Sequence, residues 1–130
     1  MNRKLKNIYF AFSGKLVGNK FMKNKVCETL ALMPDEIIDF VTTSCWFVSS
    51  FEDAYAFTFT GNELKNQHLI FLSDELLEQD NFQIHYSIAH EIGHVILKHK
   101  NSVFVKQTKQ EIEIQEKEAD SFAKKYTKFV

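Results

Sequence analysis

One proline and four glycines in 130 residues leave no room for long Pro- or Gly-rich disordered tracts. The length suits one domain, residues 1–130, around a single core, and thirteen phenylalanines can fill it. Cysteine is equally sparse. Cys27 and Cys45 stand far apart and neither belongs to a CxxC pair. That excludes the disulfide framework of a small secreted domain and leaves two reduced thiols acting as small buried hydrophobes. No apolar run approaches the roughly twenty residues that span a bilayer. The run Ile8–Phe12 behind Arg3, Lys4 and Lys6 is too short for the core of a secretory signal, and Lys15 and Lys20 follow it. The expectation is a soluble, cytoplasmic protein with no membrane partner.

Arginine is nearly absent, and the charges are unevenly spread. Residues 1–27 carry seven basic groups and no acid, whereas residues 28–97 carry twelve acids and only Lys65. A basic N-terminal segment (1–32) could grip nucleic acid. Its lysines are scattered and lack the arginine-rich stripe of such surfaces, so the expectation is that the segment folds back over the acidic middle of its own chain.

There is no internal repeat, low-complexity segment or linker. Leu16, Phe21, Val26 and Leu30 suggest a helix near 15–31. Pro34 suits the first position of a second, with Asp35 and Glu36 at the positive end of its dipole and Ile37, Phe40 and Val41 on its buried stripe. Three strands follow. Cys45–Val48 is short and apolar, Ala54–Thr60 alternates Tyr55, Phe57 and Phe59 with smaller residues, and His68–Leu72 is apolar on both faces; Gly61-Asn62 makes a turn. Asp80 or Asn81 caps a helix reaching about His99, with Ile84, Ile88, Ile92 and Val95/Ile96 at helical spacing. Thr108 to Glu111 reads as a capping box opening a last helix, whose buried face is Ala119, Phe122, Ala123 and Tyr126. Helices, a small three-stranded sheet, then two helices make an α+β layout.

The chemistry lies in His90-Glu91-Ile92-Gly93-His94. Histidines four apart sit one turn above each other on one helix face and can hold a single Zn²⁺, with the intervening glutamate beside the open position. Glu91 would take a proton from the attacking water and deliver it to the leaving amine. Gly93, which costs a helix roughly 1 kcal/mol, implies that something approaches closely there.

A third ligand is needed. His99 lies five residues past His94, roughly 140° off the ligand face, and suits a cap or outer partner better than a ligand. A carboxylate of the final helix is the other source. Glu116 and Asp120 share a face, so Glu116 can complete the metal site while Asp120 accepts the free ring N–H of a ligating histidine. Glu118 competes but points about 200° away from Glu116. By itself this segment also reads as a solvated face of Glu/Lys pairs.

With these residues quoted, the chain resembles the ImmA/IrrE family of metallo-endopeptidases. The likeness lies in His90-Glu91-Ile92-Gly93-His94 through His99, then Glu116-Lys-Glu-Ala-Asp120-Ser-Phe-Ala, and extends over about residues 33–125. It implies a minimal gluzincin-like fold, a small sheet against the active-site helix, with zinc held by His90, His94 and Glu116 and with Asp120 as outer partner. It also implies a protein substrate, a helix-turn-helix repressor serving a mobile element or stress response.

The expected activity is thus zinc-dependent peptide hydrolysis. Tyr86, Tyr126, His68 and His85 are available to steady the oxyanion, and nothing in the sequence selects among them. Substrate could add as a strand beside Ala54–Thr60. The alternatives are a zinc-binding regulatory module without turnover, or a nucleic-acid binder using the basic arm.

Overall fold

The basic N-terminal segment opens with a helix. In the computed structural model, which describes residues 2–50, 56–59, 67–98 and 108–127, α1 (Arg3–Ala11) starts where the Asn2 side chain accepts the Leu5 N–H at 2.9 Å. Ile8 and the following Phe12 are buried. Three of the basic side chains turn back on the chain. Lys4 Nζ donates to the Ala31 carbonyl at 3.0 Å, and Lys15 Nζ to the carbonyls of Phe12 and Thr42 at 3.0 and 3.2 Å. Lys25 Nζ meets Glu28 Oε1 at 3.2 Å and Asn81 Oδ1 at 2.7 Å.

The helix expected over 15–31 is shorter than the apolar spacing suggested. Leu16–Val17 form a two-residue strand, β1, and α2 is Lys20–Leu30. Gly18 separates them at φ +115°, where a β-carbon would stand 2.6 Å from the Ser49 carbonyl oxygen. The Asn19 amide donates to Ser49 Oγ at 2.7 Å, and the Asn19 side chain caps α2 through the Phe21 N–H. Met22, Val26 and Leu30 form the buried face of α2, while Phe21 is exposed. α3 (Asp35–Ser44) begins just after Pro34. Its buried face is Ile38, Val41 and Thr42; Phe40, expected on that stripe, is exposed, its ring 6.0 Å from that of His68.

β2 (Cys45–Ser50) leads directly out of α3, β3 is Ala56–Phe59 and β4 is His68–Ser73. These are the three expected strands, and β1 adds a fourth. The rest of the expected strand Ala54–Thr60 and the Gly61-Asn62 turn lie outside the described residues. The sheet order is β1-β2-β4-β3. β1 and β4 both run parallel to β2, with Leu16 opposite Phe47 and Cys45 opposite His68. β3 closes the order, antiparallel to β4 with Ala56 opposite Leu72. Phe47, Ile70 and Leu72 are buried. After β4 a 3₁₀ turn, Asp74–Glu78, anchors Leu76 in the core.

α4 (Asn81–Ile96) is capped by Asp80, whose Oδ1 accepts the Gln83 N–H at 2.8 Å. It packs against α2, against β3 and β4, and against α5 (Lys109–Thr127). Ile84, Ile88, Ile92 and Val95 are at most 3 % exposed. At about 1.5–3 kcal/mol for each such side chain, this stripe fixes α4 in the middle of the fold. α4 ends at Ile96, three residues short of the expected His99, and Lys98 follows it at φ +58°; His99 lies outside the described residues. Thr108 Oγ1 accepts the Glu111 N–H at 3.0 Å, as a helix cap should, and Ala119 and Ala123 bury the inner face of α5. The architecture is α+β, and no helix among the described residues is long and apolar enough to cross a membrane.

Candidate metal centre

The site grows from one stripe of α4 and one of α5. Phe82, Tyr86, His90 and His94 follow each other at four-residue intervals, so they form a single row along α4. Glu116 and Asp120 make the matching pair on α5. Gly93 allows these rows to meet. A β-carbon there would fall 3.0–3.2 Å from Cδ1, Cγ and Cβ of Phe122, so the close approach anticipated at Gly93 is that of α5.

Where the rows meet, the ring nitrogens His90 Nε2 and His94 Nε2 are 3.2 Å apart. Glu116 bridges them, Oε2 lying 2.9 Å from His90 Nε2 and Oε1 3.1 Å from His94 Nε2. Among the described residues this is the one group of three His, Cys, Asp or Glu side chains whose ligand atoms all lie within 4.8 Å of each other. Two nitrogens bound tetrahedrally at 2.0–2.1 Å from Zn²⁺ stand about 3.3 Å apart, close to the observed spacing.

The donor set suits a cation. His90 Nδ1 lies 2.9 Å from Asp120 Oδ1. A carboxylate only accepts, so Nδ1 carries the proton, and in the neutral ring Nε2 presents a lone pair. That lone pair faces the Glu116 carboxylate, another acceptor. Without a positive charge between them the two would repel; a second ring proton relieves this, and so does a metal ion, which satisfies both acceptors. The His/His/Glu cluster therefore can hold a metal ion.

Asp120 has a second partner. The Tyr86 hydroxyl donates to the same Oδ1 at 2.9 Å. Burial, and then the hydrogen bond to Asp120 and its charge, push the Tyr86 phenol up to about 12. Glu91, next to His90, is buried at 7 % exposure. The two helices leave one side of the centre open, since the Glu116 and Asp120 side chains are 51 % and 45 % exposed.

The four oxyanion candidates separate clearly. Tyr86 belongs to the centre's network. Tyr126 packs its ring on Phe122 at 4.9 Å. His68 sits on β4 beside Phe40, its basicity lowered by burial. His85 faces α2, its Nε2 2.9 Å from Glu28 Oε1. The Tyr86–Asp120 and His85–Glu28 pairs join residues 34 and 57 apart and left no local trace in the sequence.

Over residues 82–128 the chain matches the family described as Peptidase U49. The match covers a little over a third of the chain. It nevertheless contains nearly all of α4 and all of α5, hence His90, Glu91, His94, Glu116 and Asp120. The similarity is to a peptidase family and does not single out ImmA/IrrE. Neither a curated protein nor a solved structure matches the chain.

Proposed function

We propose that the chain is a zinc-dependent endopeptidase in which His90, His94 and Glu116 hold the metal and Glu91 is the general base. The observation that carries this reading is the convergence of two imidazole nitrogens and a carboxylate within 4.8 Å on a pair of helices similar to a peptidase family. Three protein ligands with one exposed flank suit a catalytic zinc site, whereas structural zinc sites are closed by a fourth ligand.

When bound, zinc supplies a Lewis-acidic centre that makes water nucleophilic at neutral pH. Glu91 would act as general base toward the attacking water and return the proton to the departing amine. Asp120 holds the His90 ring with Nδ1 protonated, so that Nε2 stays free to ligate. β3 ends the described sheet and lies against α4, which suits an extended substrate pairing beside it. The substrate we favour is a regulatory protein of the helix-turn-helix repressor kind, following the resemblance of the site motifs to ImmA/IrrE. A nucleic-acid role for the basic arm is disfavoured, because Lys4, Lys15 and Lys25 are engaged within the chain.

Metal analysis with a cleavage assay tests the proposal. The expected result is about one zinc per chain, lost in His90→Ala, and defined fragments from a repressor encoded beside the gene. A metal-replete preparation that retains no zinc would overturn the metal reading. Zinc binding with no cleavage, and a biological effect undiminished in Glu91→Gln, would favour a regulatory zinc module instead.

A further inference from the structure

Tyr86 was a candidate for steadying the oxyanion, but its hydroxyl is committed elsewhere. Its single proton goes to Asp120 Oδ1 at 2.9 Å, the same oxygen that lies 2.9 Å from His90 Nδ1. The hydroxyl thus acts on the Nδ1 side of the His90 ring. The atoms that would face a metal, His90 Nε2, His94 Nε2 and the Glu116 carboxylate, gather on the other side. The hydrogen bond that ties this phenol to the centre runs through Asp120.

We infer that Tyr86 is a positioning residue, which orients the Asp120 carboxylate so that His90 is kept in the Nδ1–H tautomer with Nε2 presented for metal. This inference rests on the metal-centre reading above. It assigns Tyr86 no contact with substrate.

The physical need is plain. The Asp120 side chain is 45 % exposed and hangs from a helix other than that of His90. A carboxylate so exposed would otherwise exchange its partners with water. Tyr86 sits one turn before His90 on the same face of α4, so its hydroxyl and the imidazole present a fixed pair of donors to one oxygen. The Tyr86 ring is held in turn against Phe82, with centroids 5.9 Å apart. Two donors on Oδ1, one of them from a rigid ring, define the carboxylate's rotamer and through it the rotation of the imidazole. Burial and the Asp120 carboxylate raise the pKa of the phenol to about 12, which keeps it a donor at any pH at which a peptidase works.

Tyr86→Phe removes this one hydrogen bond and little else. Two readouts on the full chain test the idea. The first is Co²⁺ affinity, followed by the visible absorption of the bound ion, in wild type, Tyr86→Phe, Asp120→Ala and the double variant. Outer partners of metal ligands are worth about 10–100-fold in affinity. Tyr86, one bond further out, is expected to cost about three- to tenfold when Asp120 is present and nothing in the Asp120→Ala background. The second readout needs no metal. In the metal-free Glu116→Gln chain, where no second carboxylate faces Nε2, the ¹⁵N shifts of His90 should show the Nδ1–H tautomer with Tyr86 present and a mixture in Tyr86→Phe.

A wild-type chain that binds no cobalt while Tyr86→Phe still shifts the tautomer would sink the metal reading and leave the role of Tyr86 standing. Unchanged tautomer and unchanged affinity in Tyr86→Phe would overturn that role whatever the metal does. So would losses that simply add in the double variant, since Tyr86 would then act independently of Asp120.

Discussion

Gly93 of α4 faces Phe122 of α5 at a distance that few β-carbons keep: one placed there would stand 3.0 Å from Cδ1 and 3.2 Å from Cβ of the phenylalanine, so α5 would have to give by a few tenths of an ångström. The ring can swing away, but its Cβ moves only with the α5 backbone. In Gly93→Ala the helix gains about 1 kcal/mol of propensity, which the overlap offsets. The melting temperature should therefore change little. Glu116 and Asp120 ride on α5, so a shift of a few tenths of an ångström reaches the metal site directly, and we expect metal affinity to fall about tenfold. Cobalt titration beside a thermal melt checks this. Unaltered affinity would show that the helix spacing is set elsewhere.

Glu91→Gln keeps the shape of a side chain that is only 7 % exposed, and removes its basicity. If Glu91 carries the proton, turnover should drop about 10²- to 10⁴-fold. Zinc binding, measured by equilibrium dialysis, should stay within about threefold, since Glu91 is no ligand in this scheme. A variant that cuts at the wild-type rate would remove Glu91 from the mechanism.

The site helices were legible because their signals are local. The Ile84–Ile88–Ile92 period fixes which face of α4 is buried, and a four-residue interval puts His90 over His94 whatever surrounds them. Glu116 and Asp120 share a face for the same reason. What brings the two rows together is non-local: the crossing of α4 and α5 depends on Phe122 settling against Gly93. β1 was missed because Leu16–Val17 become a strand only by pairing with Phe47 and Val48, thirty-one residues on. Gly18-Asn19 did hold a usable cue, since a glycine followed by a capping residue breaks a helical reading. The buried stripe of α3 lies one residue further round than expected, on Ile38, Val41 and Thr42, which turns Phe40 outward.

The α2–α4 contact gives the acid limb of stability. Burial alone would push the Glu28 carboxyl up, but hydrogen bonds from His85 and Lys25, with their charge, hold it below its ordinary 4.5. A depressed carboxyl stabilises the fold above its unfolded value and loses that contribution as pH falls through the folded one. The loss therefore begins near pH 4.5 and is complete somewhat lower. Glu28 is partly exposed, so its share at pH 7 is about 1 kcal/mol or less. Urea melts at several pH values between 7 and 3 should show a shallower decline for Glu28→Gln than for wild type. Parallel curves would mean that the pair contributes nothing to folding.

The two thiols should be silent in the folded chain. Burial raises Cys45 to about 12, against the opposing charge of Lys15, and burial, then the charge of Glu28, raises Cys27 to about 11. Both side chains are fully covered. Alkylation requires the thiolate and access to it. At pH 8 a thiol at 11 is about one part in a thousand ionised, against about a quarter for an unperturbed one, so ionisation alone slows labelling more than about a hundredfold. Iodoacetamide followed by mass spectrometry should then find both cysteines unmodified under native conditions and both modified in guanidinium. Cys27 lies on α2 and Cys45 at the start of β2, so labelling also reports which region opens. Native labelling of Cys27 alone, at a rate near that of the unfolded chain, would mean that α2 separates readily from α4. The packing that fixes the histidine helix would then be weaker than its buried isoleucines imply.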